Sequence, residues 1–142
     1  MAAEEKAKGK INVVVKRINE QIAHAEAHGQ KLKLAIKGGD PDLGFTAPET
    51  ALAAFGSCIL SNLNKHAAAL EIQIDDAQIE FDVTKRLKPL GFESVEYSLI
   101  VSSREPEEKL QTLFERATTD GTATNALLEG LKQKRYLKIN RF

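Results

Sequence analysis

The chain has few of the residues that staple or anchor a small protein: its 142 residues include one cysteine, one methionine and no tryptophan. A single cysteine excludes an intramolecular disulfide, and with it the disulfide framework of small secreted domains. A reducing compartment fits this usage, so we predict a cytoplasmic location. A chain of this length is expected to fold as one domain, 1–142, and to bury enough surface to be stable without staples.

The chain also lacks an excess of charge of either sign, because 20 Lys and Arg residues balance 20 Asp and Glu residues. This balance argues against nucleic acid as a partner, and no basic amphipathic segment indicates a membrane surface. No stretch reaches the roughly 18 apolar residues of a membrane-spanning helix. The charged start has no apolar core of a signal peptide, and we interpret residues 1–10 as a frayed tail.

Residues 11–37 show the patterns of β-strands. Residues 11–15 are mostly β-branched, and residues 21–28 alternate with a period of two, although their alanines leave a helix open as an alternative. A hairpin turn is predicted at Gly29, followed by a strand over residues 31–37. The predicted inward side chains of that strand are Leu32, Leu34 and Ile36.

A long helix is predicted over residues 47–70, after a loop over residues 38–45. Thr46 and Glu49 have the spacing of a capping box, and Pro48 is tolerated in the first turn of a helix. Small residues crowd this helix, so it can approach other elements closely and is expected to be central. A central helix must be covered on more than one side, and for this reason we expect a homodimer.

The second half of the chain predicts two strands, two helices and a short final strand. The two strands are predicted over residues 72–84 and 92–103, on either side of a break at Pro89. An amphipathic helix follows, then a helix over residues 123–132 and the final strand over residues 136–139. The apolar face of the amphipathic helix comprises Leu110, Leu113, Phe114 and Ala117. This order of elements is that of an α+β domain.

The only cysteine ends a distinctive run, Ala-Ala-Phe-Gly-Ser-Cys at positions 53–58, within the predicted long helix. Together with Pro48, this run resembles the reactive-cysteine helix of the OsmC / organic hydroperoxide resistance (Ohr) family, whose members read roughly Pro-x-Glu-Leu-Leu-Leu-Ala-Ala-Leu-Gly-Ser-Cys. The break at Pro89 and the helix over residues 108–117 are similar to that family as well. The resemblance extends over residues 32–139.

The resemblance implies an intertwined homodimer, with two central helices wrapped by antiparallel sheets. It also implies a thiol peroxidase that reduces organic hydroperoxides with two cysteines, a peroxidatic one on the central helix and a resolving one later in the chain. Cys58 stands at the peroxidatic position, whereas Gly121 stands where the resolving cysteine is expected. Arg17 is the nearest candidate for the family's N-terminal arginine.

The sequence leaves the role of Cys58 open. A free cysteine in a buried helix is commonly a small core residue. Thiol chemistry needs a thiolate, and therefore a cation or a helix N-terminus close to the sulfur. Cys58 lies about three turns into the predicted helix, where the helix dipole has little effect. The candidate cations are Arg17, Lys65 and Arg86.

Glu49 also has two interpretations, as the capping-box carboxylate or as the group that positions an arginine beside the thiol. Cys58 follows Glu49 by nine residues, about 900° of rotation, which places the two on opposite sides of an ideal helix. This geometry favours the capping role. No metal or other cofactor is predicted, because His24 and His28 would lie roughly 13 Å apart on a strand.

Two hypotheses follow for the function. In the first, the protein is a redox and stress-response protein in which Cys58 reduces organic hydroperoxides. An external thiol then restores Cys58, because Gly121 cannot resolve it. In the second hypothesis, the fold has lost catalysis and binds a small apolar ligand or a partner.

Overall fold

The computed structural model describes residues 9–37, 40–119, 121, 125, 134 and 136–138. Within these residues, three short strands precede a long helix, and a two-stranded hairpin and a second helix follow it. The elements are β1 (Val14–Arg17), β2 (Ile22–Ala27), β3 (Gln30–Ala35), α1 (Ala47–Ala69), β4 (Asp76–Leu87), β5 (Leu90–Ser102) and α2 (Glu107–Thr119). The predicted α+β class, with a long helix and antiparallel strands, is confirmed.

The chain divides into two compact units, residues 1–51 and residues 52–142, and the boundary falls inside α1. The interpretation of residues 1–142 as one domain stays a prediction. Most of the predicted N-terminal tail lies outside the described residues. Gly9 and Lys10 are described, and both are exposed and belong to no helix or strand.

The first unit contains an antiparallel sheet with the strand order β1-β2-β3. The strand interpretation of residues 21–28 is therefore confirmed over the helical alternative. His28 and Gly29 connect β2 to β3 with positive φ angles of 37° and 84°, the backbone of a tight hairpin turn. Glycine reaches such angles without steric cost, which explains why the predicted turn forms here.

Residues directly opposite each other on neighbouring strands share a face of the sheet. The two faces of this sheet differ in polarity. Arg17 pairs with Ala23, and Val15 pairs with Ala25, which pairs in turn with Leu32. We call this the apolar face of the N-terminal sheet. It carries one cation, Arg17, at its end.

The prediction that Leu32, Leu34 and Ile36 point into a core is met only by Leu34, which is half-buried. Leu32 is 47% exposed and Ile36 is 45% exposed. The alternation identified the apolar side of the strand correctly. It did not show whether another element covers that side.

Thr46 and Glu49 form the predicted capping box at the start of α1. The Thr46 amide donates to Glu49 Oε1 at 2.9 Å, and the Glu49 amide donates to Thr46 Oγ1 at 3.4 Å. The Thr46 hydroxyl donates to the same Glu49 oxygen at 3.1 Å. Amides in the first turn of a helix have no partner within it, so the box fixes where α1 begins.

The other end of α1 explains one wrong prediction, the start of the strand at residue 72. Glu71 has a positive φ of 55°, and the Ile72 amide donates to the Ala67 carbonyl at 2.8 Å. This is a Schellman-type helix end, which places an apolar residue back against the helix. Ile72 is therefore buried as part of the helix end, and β4 begins only at Asp76.

β4 and β5 form an antiparallel hairpin with Phe81 opposite Tyr97, and a bulge falls between Thr84 and Lys85. The predicted break at Pro89 is the connection between these strands, and the Lys88–Pro89 peptide is cis. Side chains alternate along the hairpin between an inner, half-buried face and an outer, exposed face.

The core of the second unit forms where α1, the inner face of the hairpin and α2 meet. The buried stripe of α1 recurs every four residues, at Phe55, Ile59, Leu63 and Ala67. Leu113 and Ala117 of α2 are buried in the same cluster, and Leu110 packs against it. The predicted apolar face of α2 is thereby confirmed.

The predictions beyond α2 have different outcomes. The helix predicted over residues 123–132 lies outside the described residues, apart from Asn125. The strand predicted over residues 136–139 is wrong for residues 136–138, which belong to no strand. Tyr136 and Leu137 are both exposed. A segment of four residues was too short to define a strand.

Candidate active site

Cys58 lies in the middle of α1, about three turns after its first residue. Its side chain is half-buried. At about 100° per residue, Cys58 lies about 60° around the helix from the buried Phe55 and about 40° from the exposed Ala54. Cys58 therefore stands at the border between the core face and the exposed face of α1.

Three aromatic rings line the core side of this part of α1. The Phe55 ring meets the Phe81 ring edge-on, with centroids 5.6 Å apart, and the Tyr97 ring at 5.7 Å. The Phe81 and Tyr97 centroids are 5.8 Å apart. Phe55 precedes Cys58 by three residues and is therefore its neighbour on the helix surface. Phe81 and Tyr97 fall within the two predicted strands, but the sequence did not show that their rings pack against Phe55.

Gly56 allows α1 to approach β4 closely. A Cβ atom at this position would lie 3.0 Å from Ile79 Cγ2 and 3.1 Å from Phe81 Cε2. A larger residue at this position would force these two side chains to shift. The glycine in the run that ends at Cys58 therefore has a packing role that helps to place the aromatic rings.

Two of the three candidate cations belong to the second unit, and neither backbone position adjoins Cys58. Arg86 lies near the end of the hairpin, where its Nε donates to the Pro89 carbonyl at 3.0 Å. It follows Phe81 by five residues, roughly 17 Å along an extended strand. Lys65 is exposed and lies roughly 10 Å beyond Cys58 along the helix axis.

The third candidate cation, Arg17, belongs to the first unit. It is exposed and ends β1, opposite Ala23 on the apolar face of the N-terminal sheet. On the same face, Val15 and Leu32 are exposed, whereas Ala23 is buried. The role of Arg17 beside a thiol stays a prediction.

Glu49 lies in the first turn of α1, roughly 13 Å along the axis from Cys58 and on the opposite side of the helix. Its carboxylate accepts hydrogen bonds from the amide and the hydroxyl of Thr46. The capping interpretation is confirmed. A second role, in which Glu49 positions an arginine, stays a prediction.

His66 is a further titratable group on α1. It follows Cys58 by eight residues, which is about 80° around the helix and roughly 12 Å along its axis. Its Nε2 atom is shielded from solvent and has no hydrogen-bond partner among the residues that the structure describes. At that separation His66 cannot take a proton from the thiol directly.

Gly121, at the position expected for a resolving cysteine, has a φ of 137°. Residues with a Cβ atom rarely adopt this backbone conformation, and glycine adopts it freely. The backbone at this position therefore favours glycine over the cysteine that the two-cysteine pattern would place there.

Two largely apolar cavities border α1 within the second unit. One, of about 370 Å³, lies between β5 and α2 and is lined by residues that include Leu63, Tyr97 and Phe114. The other, of about 570 Å³, is lined by residues that include Gly56 and Leu60. Cys58 lines neither of them, so neither is assigned to the reaction.

The ranges that the structure describes hold neither a candidate metal site nor a candidate membrane-spanning helix. They contain no group of three or more His, Cys, Asp or Glu side chains that could hold a metal ion. Neither α1 nor α2 is long and apolar enough to cross a membrane.

A family model described as OsmC-like protein matches residues 38–134, which is more than half of the chain. The search of curated proteins found no match to this chain. Among solved structures, the fold is similar to that of an OsmC like protein from Mycoplasma pneumoniae, with a TM-score of 0.76 and 16% sequence identity. That similarity covers 84% of this chain and 87% of the other.

Two further solved structures carry a description of function. The organic hydroperoxide resistance protein OhrB of Bacillus subtilis has a TM-score of 0.59 at 17% identity, covering 85% of this chain and 92% of that chain. An OsmC-like hydroperoxide resistance protein from Jannaschia sp. has a TM-score of 0.54 at 19% identity, covering 92% and 93%. At these identities the likeness is one of fold. With the family model matched over residues 38–134, the chain belongs to the OsmC-like protein family.

Proposed function

We propose that this protein is a stress-response enzyme that reduces organic hydroperoxides through Cys58 as its single redox centre. The observation that carries the proposal is the position of Cys58 on the long helix of an OsmC-like fold, at the border between the aromatic core and the exposed face. The hydroperoxide resistance described for two proteins of similar fold supports the same chemistry. A cytoplasmic location is part of this proposal.

In the proposed reaction, the Cys58 thiolate attacks the terminal oxygen of an organic hydroperoxide. A sulfur–oxygen bond forms and the oxygen–oxygen bond breaks, so the sulfur loses two electrons and the peroxide gains them. The leaving alkoxide takes a proton and departs as an alcohol. Cys58 is left as a sulfenic acid.

An external thiol completes the proposed cycle. Its sulfur attacks the Cys58 sulfenic acid and releases water, which leaves a mixed disulfide. A second external thiol then attacks this disulfide, restores the Cys58 thiol and departs as the oxidised reductant. The chain has no second cysteine to perform this step, and Gly121 stands at the position where the family would supply one.

The Phe55 ring, three residues before Cys58 on the helix surface, gives the core side of the site an apolar character. The free energy of an alkyl or aryl group falls when the group leaves water for such a surface, and hydrogen peroxide has no such group. The proposed substrates are therefore organic hydroperoxides in preference to hydrogen peroxide.

We also propose that a second copy of the chain completes the site. Leu87 and Leu90, at the end of the hairpin, are 74% and 82% exposed, and Val15 on the apolar face of the N-terminal sheet is 59% exposed. Exposed apolar side chains that lie side by side, as Leu87 and Leu90 do in the hairpin, mark a protein interface. Arg17 shares the face with Val15, so an interface that covers this face would enclose a guanidinium. In this proposal Arg17 is the cation beside the thiol. The Glu49 that positions it comes from the second copy, because Glu49 of the same helix lies on the opposite side from Cys58.

Steady-state turnover tests the proposal. Reduced protein is mixed with cumene hydroperoxide and dithiothreitol, and the loss of hydroperoxide is followed. We expect turnover that Cys58→Ser abolishes, that Arg17→Met lowers at least about tenfold, and that is slower with hydrogen peroxide. Turnover that survives in Cys58→Ser would contradict the proposal. A folded protein with no turnover would favour a fold that binds an apolar ligand instead.

A further inference from the structure

The outer face of the β4–β5 hairpin carries acidic side chains on both strands. Its carboxylates are Asp76, Glu80, Asp82 and Glu96, and all four residues are exposed. Asp82 lies directly opposite Glu96. The residues that share this face with them before the bulge at Thr84 are Gln, Thr, Ser and Ile, so these strands supply no Lys or Arg to it. We call this the acidic face.

The acidic face costs the fold stability, because like charges directly opposite each other on neighbouring strands repel. Asp82 and Glu96 form such a pair. If this sheet face served only solubility, charges of both signs would provide it at a smaller cost in folding stability. A positively charged partner would turn this repulsion into attraction.

The charged side of the N-terminal sheet has the opposite sign. Opposed residues on this side are Lys16 with His24, His24 with Lys33, and Glu26 with Lys31. The single carboxylate, Glu26, lies 3.1 Å from Lys16 Nζ and 3.8 Å from Lys31 Nζ. Three lysines against one carboxylate leave an excess of positive charge. We call this the basic face.

We propose that the acidic face of one copy docks on the basic face of another copy. The two faces complement each other in charge, and both are sheet surfaces on which side chains project at the same strand spacing. The chain has a net charge of zero, so no overall repulsion keeps copies apart. The proposal does not depend on the chemistry of Cys58.

The size of the acidic face sets the strength of this contact. Nine residues of β4 and the paired part of β5 span roughly 30 Å by 10 Å, about 300 Å². A stable interface buries about 800 Å² on each partner. The contact is therefore weak and reversible, and it is steered by charge, so salt screens it strongly.

Sedimentation velocity at low salt and at about 0.5 M salt tests this inference. The species present at high salt, whether monomer or dimer, is the reference. We expect larger species at low salt that rise with protein concentration. Asp82→Asn combined with Glu96→Gln should weaken this association at least about tenfold, while the melting temperature is unchanged or higher because a repulsion is removed.

Charge reversal makes the test specific to these two faces. Asp82→Lys with Glu96→Lys, and separately Lys31→Glu with Lys33→Glu, should each lose association alone, and a mixture of the two variants should regain it. Circular dichroism establishes that each variant is folded. A folded pair that fails to associate on mixing would overturn the proposal. So would a wild-type protein that shows no larger species at low salt, or a protein that binds polylysine but not itself.

Discussion

The N-terminal sheet and the β4–β5 hairpin share the same alternation of side chains but differ in what covers their apolar faces. On the hairpin, Phe81 and Tyr97 pack against Phe55 of α1. On the N-terminal sheet, Val15 and Leu32 remain about half exposed or more. Alternation tells which side of a strand is apolar. The elements that cover this apolar side are distant in the sequence or belong to another molecule.

The candidate functional residues divide in the same way. Cys58 lies at the edge of the core of the second unit, whereas Arg17 is exposed and shares its face with the exposed Val15 and Leu32. If a second copy covers that face, the thiol of the pair comes from the edge of a core and the cation comes from an interface. Substitutions in the two regions therefore have different effects on stability, assembly and activity.

The largest expected effect comes from Leu63→Ala, with Leu32→Ala as its matched control. Leu63 is 2% exposed, and its truncation leaves a cavity in a complete core, so it should cost about 2–5 kcal/mol of unfolding free energy. Urea unfolding at two protein concentrations measures both variants. The Leu63 cost should be the same at both concentrations. The Leu32 cost should be smaller and should grow as the protein associates; equal and concentration-independent costs would contradict the comparison.

Gly121→Cys tests whether the backbone has excluded the resolving cysteine. A side chain at a φ of 137° should cost about 1–3 kcal/mol of strain. We therefore expect a lower unfolding midpoint and no internal disulfide with Cys58 after hydroperoxide treatment, as seen by non-reducing mass analysis. Gly121→Ala is the control for strain alone. A stable variant that forms the disulfide readily would show that the position tolerates the two-cysteine mechanism.

Thr46→Ala and Glu49→Gln separate the two roles of the capping box. Thr46→Ala removes a hydroxyl that caps α1 and should cost about 1 kcal/mol. Glu49→Gln keeps an oxygen for the Thr46 amide and should change stability much less. If Glu49 also positions an arginine, Glu49→Gln should lower peroxidase turnover while the unfolding free energy stays near wild type. Equal turnover would leave capping as its only role.

The smallest effect is expected on the charged side of the N-terminal sheet. The Lys16 side chain, which hydrogen-bonds to Glu26, lowers the pKa of that carboxyl, and Lys31 contributes further. A lowered folded-state pKa stabilises the fold above the ordinary carboxyl pKa, and this contribution is lost as pH falls through the folded value. The stability difference between wild type and Lys16→Met should thus shrink in acid and in high salt. A difference that persists at low pH would contradict the ion pair.

Local signals in the sequence predicted a large part of this fold. The capping box of Thr46 and Glu49, the turn at Gly29 and the amphipathic face of α2 each depend on residues a few positions apart. Such short-range chemistry is visible in the sequence itself. The run that ends at Cys58 likewise located the long helix and led to the family.

The sequence predicted less where the outcome depends on distant contacts. Ile72 continued the alternation of the following strand, but its position is set by the helix end that binds its amide. The exposure of Leu32 depends on which surface covers it, and the approach of Phe81 and Tyr97 to Phe55 depends on Gly56. The sequence marked the missing cysteine at Gly121, but only the backbone angle shows why glycine suits that position.

The most direct test of the central claim is the single-turnover oxidation of Cys58 by cumene hydroperoxide, compared with a thiol moved by one residue. The displaced thiol is made with Ser57→Cys and Cys58→Ser together; position 57 is exposed and lies about 100° around α1. We predict that Cys58 gains one oxygen by intact mass at least about tenfold faster than the displaced thiol. Equal rates, or a Cys58 that reacts only after unfolding, would contradict the account.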